Sequence, residues 1–252
     1  RLGEANTLQA IGDVQQFRDE REAALESYRQ ALELFRAVGD RLGEANTLQA
    51  IGDLAVDEEK YDLARSLFEQ ALLLFETLDL PARQAGVFNS IANIYEKQKD
   101  YQTAIQIYSQ ALERHASAYI LRNRALQYIH LKNLDRADED IKSAELLEPE
   151  HPYLFLRKGQ LALLRGQYAE AVPLLQSAIK RFPWLSEAYF SLGITDLHLG
   201  NPAEALEEYR RGLEFVSKSE ELEDALQELE ELQTEKPDLP GVDEALALLR
   251  NW

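Results

Sequence analysis

The sequence predicts an all-α chain, a right-handed α-solenoid of about six helical hairpins followed by C-terminal capping helices. Three observations carry that prediction. A stretch is duplicated outright: Arg1 to Asp13 reads RLGEANTLQAIGD, and Arg41 to Asp53 repeats all thirteen residues. Small residues then recur in three parallel registers: Gly12, Gly52, Ala92, Ala125, Gly159 and Gly193; Ala24, Ala64, Ala104, Ala137, Ala171 and Ala205; and Ala31, Ala71, Ala111, Ala144, Ala178 and Gly212. Each register steps by 40, 40, 33, 34 and 34 residues. Finally, only 12 Gly and 8 Pro punctuate 252 residues, and no alternating apolar run marks a strand.

Each repeat reads as two helices. The first holds the first-register small residue at its middle. The second holds the other two, with a large side chain four positions after the second-register Ala: Tyr28, Phe68, Tyr108, Ile141, Leu175 and Tyr209. Small residues let the paired helices approach, and the large ones fill the gap beside them. The wider early spacing calls for longer helices, so residues 1–115 are expected to form three long hairpins of the 40-residue type. Residues 116–217 should form three of the 34-residue type, and 218–252 an acidic cap, with a seam near residues 112–122. Turn chemistry falls where hairpins require it, at Gly166-Gln167-Tyr168 and Gly200-Asn201-Pro202, where Asn201 suits an N-cap and Pro202 the first helical turn. Pro149 and Pro183 close the fourth and fifth hairpins. After Phe215 the repeat stops, and Leu222, Ala225, Leu226, Leu229 and Leu232 form a helical stripe flanked by acids. A last helix after Pro240-Gly241, with Val242, Ala245, Leu246, Leu249 and Trp252, is expected to pack beside it and cover the end of the stack. No such cap precedes Arg1, so further repeats or another domain are expected on that side.

Composition narrows the function. With 45% apolar and 29% charged residues the chain has material for a core, and no apolar run approaches the roughly 18 residues of a membrane span. Zero Cys excludes a disulfide framework, a thiol nucleophile and Cys-based metal sites, and fits a cytoplasmic setting. The net charge of −18 repels nucleic acid and anionic lipid. The acid is concentrated late: Glu204 to Glu244 holds 15 acidic and 4 basic side chains. No phosphate-binding loop is present, and His115, His130, His151 and His198 lack metal-ligand spacing. The chain is therefore expected to be no enzyme and to carry no cofactor.

The spacing pattern resembles the tetratricopeptide repeat family over about residues 1 to 217, most fully in Ser186 to Phe215 with Tyr189, Leu192-Gly193, Ala205, Tyr209 and Leu213. The 40-residue hairpins look like the arrays of bacterial multidomain signalling regulators, which implies a sensing or scaffolding part of a larger protein. The resemblance also implies that first helices line a concave groove. Its expected lining is polar in the first hairpins (Asn6, Gln9, Asp13, Asn46, Gln49, Asp53), and Asn89, Ser90, Asn93 and Lys97 follow. Aromatics and arginines come next, in Tyr119, Arg122, Asn123, Leu126, His130, Tyr153, Leu156, Arg157 and Gln160, and then the apolar Phe190, Ser191, Ile194 and Leu197.

Arg and Tyr are the residue types best suited to anchor a partner, which favours residues 119 to 160 with Arg122 and Arg157 exposed. The alternative for both arginines is pairing with nearby acids. Asn93, Asn123 and Arg157 also fall where the resemblance places the carboxylate clamp of co-chaperone repeats, although its two lysine positions hold Asn89 and Tyr153. The function expected is non-enzymatic recognition of a protein or peptide, with an acidic or C-terminal carboxylate group as one preference and another domain of the parent chain as one partner. Presenting substrate within a multidomain enzyme is the rival reading.

Overall fold

The computed structural model describes residues 1–217 and 219–252; Lys218, where the expected cap begins, lies outside them. Among the described residues there are fourteen helices and no strand. They pair as α1 (Leu2–Phe17) with α2 (Arg21–Val38), α3 (Arg41–Asp57) with α4 (Tyr61–Thr77), and α5 (Pro81–Lys97) with α6 (Tyr101–Arg114). Then follow α7 (Ala118–His130) with α8 (Leu134–Leu147), α9 (Pro152–Leu164) with α10 (Tyr168–Arg181), and α11 (Ser186–Leu199) with α12 (Pro202–Phe215). Two helices end the chain, α13 (Ser219–Glu235) and α14 (Val242–Arg250). The chain divides into two compact bodies, Arg1–Ile120 and Leu121–Trp252.

The hairpins close where the sequence places small residues opposite large ones. In the N-terminal body a Cβ added at Gly52 would sit 2.4 Å from the Phe68 ring. In the C-terminal body one added at Gly193 would sit 2.8 Å from the Tyr209 ring. Both are closer than a real methyl tolerates, so the backbones approach to the limit that glycine sets. Ala24, Ala64, Ala104, Ala137, Ala171 and Ala205 are all fully buried beside these contacts. Phe35, Phe68 and Phe75 are fully buried too, and each contributes roughly 1.5–3 kcal/mol.

The turn inside every hairpin has one geometry. The residue at its αL position is Asp19, Glu59, Lys99, Lys132, Gly166 or Gly200, with φ between 54° and 80°. The next amide donates to the carbonyl five residues back, from Glu20 to Gln15 at 2.9 Å through to Asn201 to Asp196 at 2.9 Å. Glycine marks this place only in the fifth and sixth hairpins, so the sequence signals two turns of six. Pro202 opens α12 as expected, but Asn201 makes no side-chain cap; its Nδ2 donates to Asp196 Oδ1 at 3.4 Å instead.

At the end of the chain α14 packs beside α13, as expected, and through Val242, Ala245, Leu246 and Leu249 covers α12, while α13 itself also packs on α11. Trp252 lies beyond α14 and is 63% exposed, because the helix ends at Arg250 and its stripe does not continue.

Ala171→Leu is expected to destabilise the C-terminal body by about 1–3 kcal/mol, since Ala171 is fully buried and the added carbons have no space. Chemical denaturation of the parent and the variant checks it, and equal midpoints would contradict the packing.

Candidate functional site

In the N-terminal body, α1, α3 and α5 lie side by side and share a polar face, whose edge the Tyr28 hydroxyl of α2 and the Tyr108 hydroxyl of α6 reach. The face carries Asn6, Gln9, Asp13 and Gln16 from α1, Asn46, Gln49, Asp53 and Asp57 from α3, and Gly86, Asn89, Ser90, Asn93 and Glu96 from α5. The helices are joined across this face: Ser90 Oγ donates to Asp53 Oδ1 at 3.1 Å. The same rung recurs in the C-terminal body, where Gln160 Nε2 donates to Ser191 Oγ at 3.3 Å. Both rungs join the residue after one hairpin's first-register small residue to the residue two before the next hairpin's.

Among the described residues, the half-buried amides of Asn46, Gln49 and Asn93 make no side-chain hydrogen bond. Gly86 sits in the first half of α5, yet the one atom within 4 Å of an added Cβ is Gln49 Nε2, at 3.9 Å. Mid-helix glycine costs about 1 kcal/mol against alanine, and no packing requires it here. The helix backbone is therefore bare beside open amides.

Electrostatics single out Asp53. In the first hairpin the Tyr28 hydroxyl lies 2.8 Å from Asp13 Oδ1 and 2.9 Å from Gln16 Oε1, able to donate to either. In the third, the Tyr108 hydroxyl is similarly placed, 2.7 Å from Glu96 Oε1 and 3.0 Å from Asn89 Oδ1. Phe68 stands at this place in the second hairpin and has no hydroxyl to give. Burial pushes the Asp53 carboxyl up to about 6, the Asp57 charge adds to the rise, and the Ser90 hydrogen bond opposes it.

In the C-terminal body the arginines are not free, which corrects the expectation of exposure. Arg122 is 4% exposed, and its Nη1 lies 2.6 Å from Glu148 Oε2. Arg157 is 3% exposed, with Nη1 2.8 Å from both Glu187 Oε2 and Gln160 Oε1, and its Nε has no partner. Guanidinium groups leave water only when paired, and acids at the ends of neighbouring helices supply the pairs. Tyr153 is half-buried, 5.9 Å from the Arg157 guanidinium and edge-on to Phe182. Phe190 and Ile194, expected to line an open apolar groove, are 4% and 7% exposed in a cluster with Ala225, Leu229 and Leu232 of α13. Asn123 and His130 are half-buried on α7. Asn89, Asn93 and Tyr119 belong to the N-terminal body, with Tyr119 41% exposed.

One ion pair was not anticipated. Arg124 grips Asp140 in a bidentate pair at 2.8 and 2.7 Å, tying α7 to α8. The signal was present as a basic residue beside Ala125 and an acid beside Ile141, on facing helices of one hairpin. Among the described residues no group of three or more His, Asp or Glu side chains is placed to hold a metal ion. No helix among them is long and apolar enough to cross a membrane.

Stacked helical hairpins, closed on small residues and presenting first-helix faces, define a helical-repeat solenoid protein. Family models described as tetratricopeptide repeat match residues 2–77 and, in overlapping windows, 50–119, 89–153, 122–184 and 156–220. The chain belongs to the tetratricopeptide repeat family, and in general terms it is a protein–protein interaction scaffold. No curated protein matches it. Among solved structures it is similar to BtubC from P. vanneervenii, at 19% identity and TM-score 0.63 over 77% of this chain and 90% of that one. It is similar to PilF of Pseudomonas aeruginosa, at 16% identity and TM-score 0.62 over 97% of each chain. A tetratricopeptide repeat protein from Parabacteroides merdae aligns at 16% identity and TM-score 0.60 over 98% and 99%. These likenesses establish the fold alone.

The Asp53 carboxyl titrates higher in the fold than its ordinary 3.8, so its neutral form favours folding, and that contribution is lost as pH rises from about 4 to about 6. Asp53→Asn keeps an acceptor for Ser90 and is expected to stabilise by about 1–2 kcal/mol at pH 7, with partial exposure discounted, and by almost nothing at pH 4. Thermal melts across this range check it; a gain independent of pH would contradict the assignment.

Proposed function

We propose that the polar first-helix face of the N-terminal body binds an extended peptide segment of a partner protein. The observation that carries this reading is the bare backbone at Gly86 beside the unpaired amides of Asn46, Gln49 and Asn93. Each amide supplies two donors and an acceptor, which suits the alternating groups of an extended main chain. Asp13, Asp53 and Asp57 favour a Lys or Arg side chain on the ligand, consistent with the chain's net charge of −18. A preference for acidic or C-terminal carboxylate ligands loses its support, because Glu148 and Glu187 already compensate Arg122 and Arg157. Such recognition suits the scaffolding part of a larger signalling protein in a cytoplasmic setting.

Selection from a displayed random-peptide library tests the proposal. Peptides enriched on the parent are expected to carry Lys or Arg and to weaken more than tenfold against Gly86→Leu. That substitution replaces a helix-weakening residue at an open position, so the variant should melt no lower than the parent. Undiminished binding by Gly86→Leu, or enrichment of acidic peptides, would overturn the reading.

A further inference from the structure

We infer that the first-helix face of α9 and α11 is a groove for an amphipathic helix, and that α13 is its resident, displaceable occupant. A partner helix with the same Leu/Ala stripe and acidic flanks would enter by replacing α13. This rests on the C-terminal body alone and is independent of the peptide face above.

A helix continuing the stack would rest on the second helix of the last hairpin, as α3 rests on α2, α5 on α4 and α11 on α10. Here α14 takes that place on α12. The helix α13 lies instead along α11 and reaches back over two earlier hairpins. At its first turn Ser186 Oγ, at the start of α11, donates to Glu221 Oε2 at 2.6 Å. Midway, Leu163 of α9 joins the cluster that holds Phe190, Ile194, Leu229 and Leu232. Near its end Glu231 pairs with Lys132, in the turn between α7 and α8, at 3.5 Å. One helix thus meets groups from three hairpins, the disposition of a ligand laid into a groove and not of a further repeat.

The occupant states the chemistry of the partner. Its Leu222, Ala225, Leu226, Leu229 and Leu232 turn one stripe to the groove, while Glu223, Asp224 and Glu230 face water. Leu222 and Leu226 of that stripe stay partly exposed. The helix is fastened to α14 as well as to α11, through Arg250 to Glu230 at 2.7 Å and Gln233 to Asp243 at 2.5 Å. Its hold on the repeats themselves is the part a competing helix must replace, and it is expected to open below the free energy of global unfolding. Its departure from α11 leaves α12 covered, because α14 packs on α12 through its own contacts as well as on α13. A competing helix then shifts the population toward the open state in proportion to its affinity for the vacated groove.

Two measurements on the full chain test this. By amide hydrogen exchange on the unaltered protein, α13 is expected to exchange at least tenfold faster than α9 and α11. A labelled synthetic peptide of residues 219–235 is then titrated into the parent and into a Leu229→Ala, Leu232→Ala variant whose own α13 is loosened. It is expected to bind the variant at least tenfold more tightly than the parent, and adding Lys132→Glu should weaken that binding several-fold. Exchange of α13 only together with α9 and α11 would overturn the inference, whether or not the variant folds. So would a variant with intact helicity that fails to take up the peptide.

Discussion

The structure depends on one close approach, drawn to the glycine limit in four of the six hairpins, between the middle of a first helix and a large side chain sixteen residues later. Gly12 meets Tyr28, Gly52 meets Phe68, Gly159 meets Leu175 and Gly193 meets Tyr209, each at a separation that leaves no room for a Cβ. Because that contact fixes how each first helix is rotated, it also fixes which residues look away from the partner helix. Positions six and three before the small residue, and one after it, turn to the open face. Asn46, Gln49 and Asp53 are those positions in the second hairpin, so the packing that holds the hairpin together decides what its recognition surface contains.

The two bodies use that shared geometry differently. In the N-terminal body the face is rich in amides and carboxylates, and tyrosine hydroxyls engage Asp13, Gln16, Asn89 and Glu96. The amides of Asn46, Gln49 and Asn93 make no side-chain hydrogen bond, and the hydroxyl missing at Phe68 leaves Asp53 short of a donor. In the C-terminal body the same positions hold Arg, Tyr, Phe and Ile, and the chain satisfies them itself. Glu148 and Glu187 neutralise the arginines, and α13 covers the apolar side chains. Residue types with the greatest capacity for binding a partner are, for that reason, the ones a chain with 45 acidic side chains engages internally.

Much of the fold was legible because it is periodic. The three small-residue registers located every hairpin, and Pro202 opened α12 where the sequence placed it. Four of the six inner turns were silent, since Asp19, Glu59, Lys99 and Lys132 occupy a left-handed conformation that composition assigns to glycine. The candidate site was legible as a list of positions but not as a ranking. Arg122 finds Glu148 26 residues away and Arg157 finds Glu187 30 residues away, contacts that periodicity within one helix does not show. The stripe on α13 was visible in sequence as well, but not the surface it would cover, because amphipathicity fixes a helix's buried face and leaves its partner open. Gly86 carried a signal that passed unread: it stands past the first turn of α5, outside the small-residue registers and against no large side chain.

The central claim is that recognition of an extended, basic peptide belongs to the first-helix face of the N-terminal body. Photo-cross-linking with a Lys-bearing peptide that binds the intact chain tests it most directly, by locating the adducts with mass spectrometry. The account predicts adducts within Leu2–Phe17, Arg41–Asp57 and Pro81–Lys97. Adducts concentrated on Pro152–Leu164 or Ser186–Leu199, with those three helices unmarked, would contradict it.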